Sequence, residues 1–138
     1  MDDKVHTALD AIAVKIERAS GNVPPLLHEI RHALALLLEH GESTCIDLKS
    51  MPLAPGEEDR IVAALGSGEV RAEVDALGFS EIAETAFPGV WVVSHCDERG
   101  AIQARFIEVT QVPDVLRSQH SDIADGLARL TTRLTVDG

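Results

Sequence analysis

His28-Glu29-Ile30-Arg31-His32 sets two imidazoles four residues apart with a carboxylate between them. On a helix that spacing stacks the imidazoles on one face. There they could share a zinc ion whose bound water the Glu29 carboxylate polarises, the arrangement of a metal-dependent hydrolase. The surrounding pattern argues against a cleft. At about 100° per residue, His28, His32 and Glu39 lie together, nearly opposite the apolar stripe of Leu27, Ile30, Leu34, Leu37 and Leu38, so the pair should face solvent. The longer zinc-peptidase spacing fails at Ala35 and Leu38, where a Gly and a third His would stand, and Glu39 lies roughly 10 Å along the axis from His32. A third ligand would have to arrive from elsewhere, from His95, His120 or an acid. A solvated helix face is the better reading of His28 and His32, and a small zinc hydrolase using His28, Glu29 and His32 is the enzyme alternative.

Two cysteines offer a second chemistry. Cys45 and Cys96 could meet if their strands were neighbours, which keeps a metal or cluster carrier as a further alternative, although two thiols alone do not make a stable structural metal site. His95 and Cys96 are adjacent, so on a strand they point to opposite faces and cannot form one nucleophilic pair without a bulge. Both cysteines read most simply as buried thiols. Glu81, Glu84 and Glu108 could serve acid–base chemistry if two of them flanked a cleft, but acids on strands are usually the wet face. Gly66-Ser67-Gly68 lacks the Lys-Ser/Thr of a phosphate-binding loop. Trp91, the one Trp, reads first as a packed residue and second as a partner-binding anchor.

These residues sit on a chain of 138 residues, a length that suits a single domain over 1–138. At 45% hydrophobic it can bury a core, but with 3% aromatics and no Tyr that core must be Leu, Val, Ile and Ala. A net charge of −11 repels phosphate backbones, which excludes nucleic acid as the expected partner. No apolar run reaches the length that spans a bilayer, and Met1-Asp2-Asp3 opens no signal-peptide pattern, so the expected location is the cytoplasm, away from the membrane.

The periodicity predicts an α+β fold. Val5, Leu9, Ile12 and Ile16 predict a helix over Asp3–Ala19, and Ser20-Gly21 followed by Pro24-Pro25 predicts a second helix that ends at Gly41, together a helical hairpin. Thr44–Leu48 reads as a short strand, and Glu57-Glu58-Asp59 opens a middle helix where the dipole favours acids. Val70, Ala72 and Val74 alternate with Glu69, Arg71, Glu73 and Asp75 as on a half-buried strand. Ser80–Phe87, Val90–Cys96 and Ile102–Val109 follow, with Val112-Pro113 expected to close a mostly antiparallel sheet of four to five strands. Phe87-Pro88-Gly89-Val90 is either a tight reversal or a bulge in one long strand, and Asp97-Glu98-Arg99-Gly100 a hairpin turn. Ile123, Leu127, Leu130 and Leu134 mark a last helix over Asp122–Leu134.

Ile46-Asp47-Leu48-Lys49-Ser50-Met51-Pro52-Leu53, Leu65–Val70, Ser80–Thr85, Pro88-Gly89-Val90-Trp91 and Ile107-Glu108-Val109 occur in that order. Together they resemble the C-terminal conserved domain of hydrogenase expression/formation proteins of the HupH and HyaF type. The short length is most similar to the HupJ/HoxT-like members. The resemblance covers residues 26–117. It implies a non-enzymatic accessory protein, a chaperone in the maturation of a NiFe uptake hydrogenase, with no cofactor and no catalytic residue to carry over. The implied partners are the hydrogenase small-subunit precursor or the large subunit, and other maturation factors. The small subunit of such enzymes carries a twin-arginine export signal, a basic segment that a chain at −11 could attract. The expected contacts are Trp91, Val93 and Glu108, with the Pro88-Gly89 turn beside them. A homodimer through a sheet edge is a further expectation.

Overall fold

The computed structural model describes residues 21–75 and 78–137. The helix expected over residues 3–19 lies outside the described residues, so only the second arm of the expected hairpin is described. That arm, α1 (Val23–His40), starts with Pro24 in its first turn, where a missing N–H costs nothing. It stops at Gly41, whose left-handed φ of 69° lets its N–H reach the Leu37 carbonyl at 2.9 Å. β1 (Thr44–Asp47) follows, then a single 3₁₀ turn (Leu48–Ser50), and then α2 (Glu57–Leu65) with its three acids in the first turn. The remaining strands are β2 (Arg71–Asp75), β3 (Phe79–Glu84), β4 (Val90–Cys96) and β5 (Ile102–Val109). A second 3₁₀ turn (Asp114–Leu116) leads to α3 (His120–Asp137).

The five strands form one antiparallel sheet in the order β1-β5-β4-β3-β2. Because side chains alternate across a strand, β4 and β5 feed two cores at once. Val90 and Val92 oppose Val109 and Ile107 on one face, where Val23, Leu26, Ile30 and Ala33 of α1 and Ile61 and Leu65 of α2 cover them. On the other face Trp91 and Val93 join Ile82, with Ala72, Val74, Phe106 and Leu116 around them. Both faces of the central strands are therefore dry, which explains why Val90–Val93 reads as an unbroken apolar run.

The Pro-Gly segment is the tight reversal. Val90 N–H donates to the Phe87 carbonyl at 2.9 Å and Gly89 takes φ 95°, the type II pattern. β3 consequently ends at Glu84 rather than Phe87, and buried Thr85 holds the turn through its hydroxyl, which accepts from Phe87 N–H at 3.1 Å. Replacing Gly89 with Ala forces a Cβ into the left-handed region and to 3.2 Å from Leu34 Cδ2. The expected loss is about 1–2 kcal/mol, read as a lower denaturant midpoint at unchanged m-value.

Two expectations need correction, and the expected last helix is present but uncovered. Val112-Pro113 does not extend the sheet: β5 ends at Val109, one further bond joins Thr110 N–H to the Gly89 carbonyl, and Pro113 has no N–H to continue the ladder. Leu38 is 88% exposed rather than part of the α1 stripe, because that face centres on Val23, Leu26, Ile30 and Ala33 and Leu38 is turned about 100° from it. The apolar stripe of α3 belongs to neither core. Ile123, Leu127, Leu130 and Leu134 are all more than half exposed, and α3 makes no extensive packing with another described element.

Candidate partner-binding site

The histidine and cysteine motifs are taken apart by the fold. His28, Glu29 and His32 are exposed on the outer side of α1, opposite its buried face. Among the described residues no three His, Cys, Asp or Glu side chains come together as a ligand set. Cys45 on edge strand β1 pairs with Glu108, whereas Cys96 pairs with Ile102. Six residues of β5 separate those positions, about 20 Å, so the two thiols cannot share an ion within one chain. Cys45 is also exposed rather than buried, since β1 is an edge. What burial it has, with the Glu108 carboxylate across the pair and the Asp47 carboxylate two residues on, pushes its thiol above the ordinary range, the wrong direction for a thiolate ligand or nucleophile. A register shift does fall at His95/Cys96, but the extra residue is Gln103 on β5. His95 Nδ1 instead shares a 2.6 Å hydrogen bond with the Ser80 hydroxyl, and its ring meets Phe106 edge-on.

The expected contact residues divide by depth. Trp91 is 5% exposed and its Nε1–H donates to the Thr110 carbonyl at 3.1 Å, so it packs, as its first reading held. Val93 is 1% exposed. Neither presents a surface to a partner, because the second core absorbs both. Pro88 is exposed and Gly89 half-buried at the tip of the turn, next to Phe87 at 49% exposure. Glu108 is half-buried on the same face as Trp91.

Burial in the first place, and the Asp114 carboxylate in the second, hold the Glu108 carboxyl above the usual carboxylate range, with His95 opposing weakly. A raised folded-state value means the folded chain holds this proton more tightly than the unfolded one. Its stabilising effect is therefore complete at acid pH and fades as pH rises through the carboxylate range. Glu108→Gln should then melt higher than the parent at neutral pH, and the difference should vanish below about pH 4, checked by thermal melts across pH.

Next to the turn, joined to it through Thr110, lies a groove of about 380 Å³ lined by Leu37, Ser43, Thr110, Val112 and Arg117. Thr110 ties turn to groove: its N–H reaches Gly89 and its hydroxyl bonds Ser43 Oγ at 3.0 Å. Phe87 and Val112, both close to half exposed, flank the strand ends here. Large apolar side chains in the open around a groove are the kind of surface that another chain covers.

Two residues central to the fold had no sequence signal of their own. Glu57, readable only as a first-turn acid, is 1% exposed. It accepts from Asn22 N–H at 3.1 Å, Asn22 Nδ2 at 2.7 Å and Ala54 N–H at 2.6 Å, clasping the start of α1 to the start of α2. Arg105 lies under α2, donating to Ser94 Oγ at 3.2 Å and pairing with Asp59 at 3.1 Å. Its position on the helix-covered face could be read from the alternation of β5, but not its partners.

Comparison with known proteins agrees with this frame. The family model "HupH hydrogenase expression protein, C-terminal conserved region" matches residues 21–136. The chain belongs to this family. A solved structure of hydrogenase expression protein HupH from Thiobacillus denitrificans superposes with a TM-score of 0.79 at 45% identity, covering 84% of this chain and 97% of that one. Hydrogenase expression/formation protein HupQ of Azotobacter chroococcum mcd 1 is 30% identical over 111 residues, 79% of this chain and 39% of the relative. HupH of Rhodobacter capsulatus is 28% identical over 117 residues, 78% of this chain and 42% of the relative. The chain thus spans about two fifths of the length of these curated relatives. Among the described residues of this HupH-family chain, no helix is long and apolar enough to cross a membrane.

Proposed function

We propose that this HupH-family chain is a non-enzymatic accessory protein of hydrogenase maturation that works by holding an immature hydrogenase subunit, with the iron–sulfur small subunit as first client. The observation that carries this reading is the family match over residues 21–136, which takes in both cores and the groove lined by Leu37, Ser43, Thr110 and Val112. The chemistry of the chain supports it. The H-E-x-x-H residues are spread over solvent, the Cys45 thiol is pushed toward its protonated form, and the two cysteines stand apart.

The client's place is the turn end of the sheet. Val112 offers exposed apolar contact in the groove and Phe87 at the turn tip, where Pro88-Gly89 fixes its position. The net charge of −11 favours a basic segment such as an export signal by long-range attraction. Affinity capture of the small-subunit precursor by the purified chain is the test. Capture is expected, weaker in high salt and weaker without the signal segment. Phe87→Ser should reduce it about tenfold with little change in melting temperature, since Phe87 belongs to neither core. Capture of the large subunit alone would move the assignment to that client, and capture of neither would refute the reading.

A further inference from the structure

The C-terminal helix carries an apolar seam that the described structure leaves uncovered. Ile123, Leu127, Leu130 and Leu134 are spaced four, three and four residues apart, the alternation of a two-stranded coiled-coil seam. They are 58%, 69%, 57% and 65% exposed, on a helix that makes no extensive packing with another described element. The residues beside the seam are small, with Ala124, Gly126, Ala128 and Thr131 leaving room for a second helix to approach.

We infer that α3 pairs with α3 of a second copy of this chain, in antiparallel orientation. Three observations select that occupant. First, the seam is self-complementary when reversed. About a two-fold axis midway between Leu127 and Leu130, Ile123 falls level with the second copy's Leu134, and Leu127 with the second copy's Leu130. Second, the charges are segregated along the helix. Asp122 and Asp125 lie in its first half, and Arg129 and Arg133 in its second, with Asp137 as the last residue beyond them. Antiparallel pairing sets Arg133 toward the second copy's Asp122 across Gly126, whereas parallel pairing sets acids beside acids and arginines beside arginines. Third, each chain carries −11, yet α3 is close to neutral, with three Asp against two Arg. Antiparallel helices of 18 residues hold the two acidic bodies at opposite ends, about 27 Å apart along the axis and beyond the Debye length at physiological salt, while parallel helices bring them together. The same near-neutrality gives a basic export segment little to hold on this helix.

The sheet edges are poorer sites for self-association. β1 has four residues, and β2 carries exposed Arg71, Glu73 and Asp75 along its edge.

The test is sedimentation of the full chain across a dilution series. The parent should be a dimer that dissociates on dilution. Leu127→Asp should weaken the dimer at least about 100-fold, while its melting temperature and Trp91 fluorescence stay those of the parent monomer, because the seam touches neither core. Arg133→Asp should weaken the dimer roughly 3–10-fold, and adding Asp122→Arg should restore it. A spin label at Ser121 should report a label-to-label distance of at least about 24 Å, made of about 22 Å along the axis and about 10 Å across it, and parallel pairing would remove the axial part. A monomeric parent at every concentration would overturn the inference. That would be the result if residues 3–19, which share the four-three-four spacing, covered the seam within one chain. A dimer indifferent to Leu127→Asp, or a short label distance, would overturn it equally.

Discussion

Glu57→Ala is expected to lower stability by about 3 kcal/mol or more, read as a fall in melting temperature on the order of 10 °C. The carboxylate is 1% exposed and holds two backbone N–H groups and one side-chain amide on two separate stretches of chain: Asn22 before α1, and Ala54 in the loop before α2. Hydrogen bonds to a charged group are the strong kind, and truncation takes the acceptor from three donors at once and leaves a void where the buried carboxylate packed. The site also sits at the positive end of α2, so the carboxylate loses a favourable dipole when it is removed. Glu57→Gln separates the contributions. It keeps the shape and one carbonyl acceptor but aims an NH₂ at a donor, so it should fall between parent and Ala. Equal stability of Glu57→Ala and parent in denaturant melts would show that the clasp contributes nothing.

Why Glu57 was invisible in the sequence, while most strands were not, has a physical reason. Strand and helix identity are local: the alternation of Ala72 and Val74 with Arg71, Glu73 and Asp75, the stop at Gly41 and the hairpin at Asp97–Gly100 each follow from a few neighbouring residues, and each stands in the structure, although Val70 falls outside β2 and is 45% exposed. The Pro-Gly segment needed one non-local fact, that Ser80–Glu84 returns beside Trp91–His95, before turn could be told from bulge. Glu57 and Arg105 needed more, because their partners lie 35 residues back at Asn22 and 46 residues back at Asp59. The stripe on α3 marks the limit of the local signal, since the helix is present as expected. Its period was plain, and period shows that a face is apolar without showing what covers it. For the candidate site the same division holds. The Pro-Gly segment was legible as a turn or a bulge, but which residues around it are exposed depends on the second core, which draws in Trp91 and Val93 and leaves Phe87 outside.

That division by depth yields the other large effect. Trp91→Ala should cost about 3–5 kcal/mol, since it removes the largest side chain of the core formed with Ile82, Val93 and Phe106 and leaves a cavity. It also removes the donor that the Thr110 carbonyl receives, at the point where the turn and the groove are joined. Trp91→Phe keeps most of the packing and loses the Nε1–H bond, so a cost nearer 1–2 kcal/mol is expected from it. Loss of client capture in Trp91→Ala would therefore report a weakened fold, and by itself would say nothing about contact. Phe87→Ser is the contrasting variant, because Phe87 is half exposed at the turn tip. If the turn end of the sheet receives the client, capture should fall in Phe87→Ser at parental melting temperature, and should follow melting temperature across the Trp91 series. If capture instead survives in Phe87→Ser and falls only as stability falls, the client binds elsewhere on the chain, and the exposed acids rather than the apolar rim become the surface to mutate.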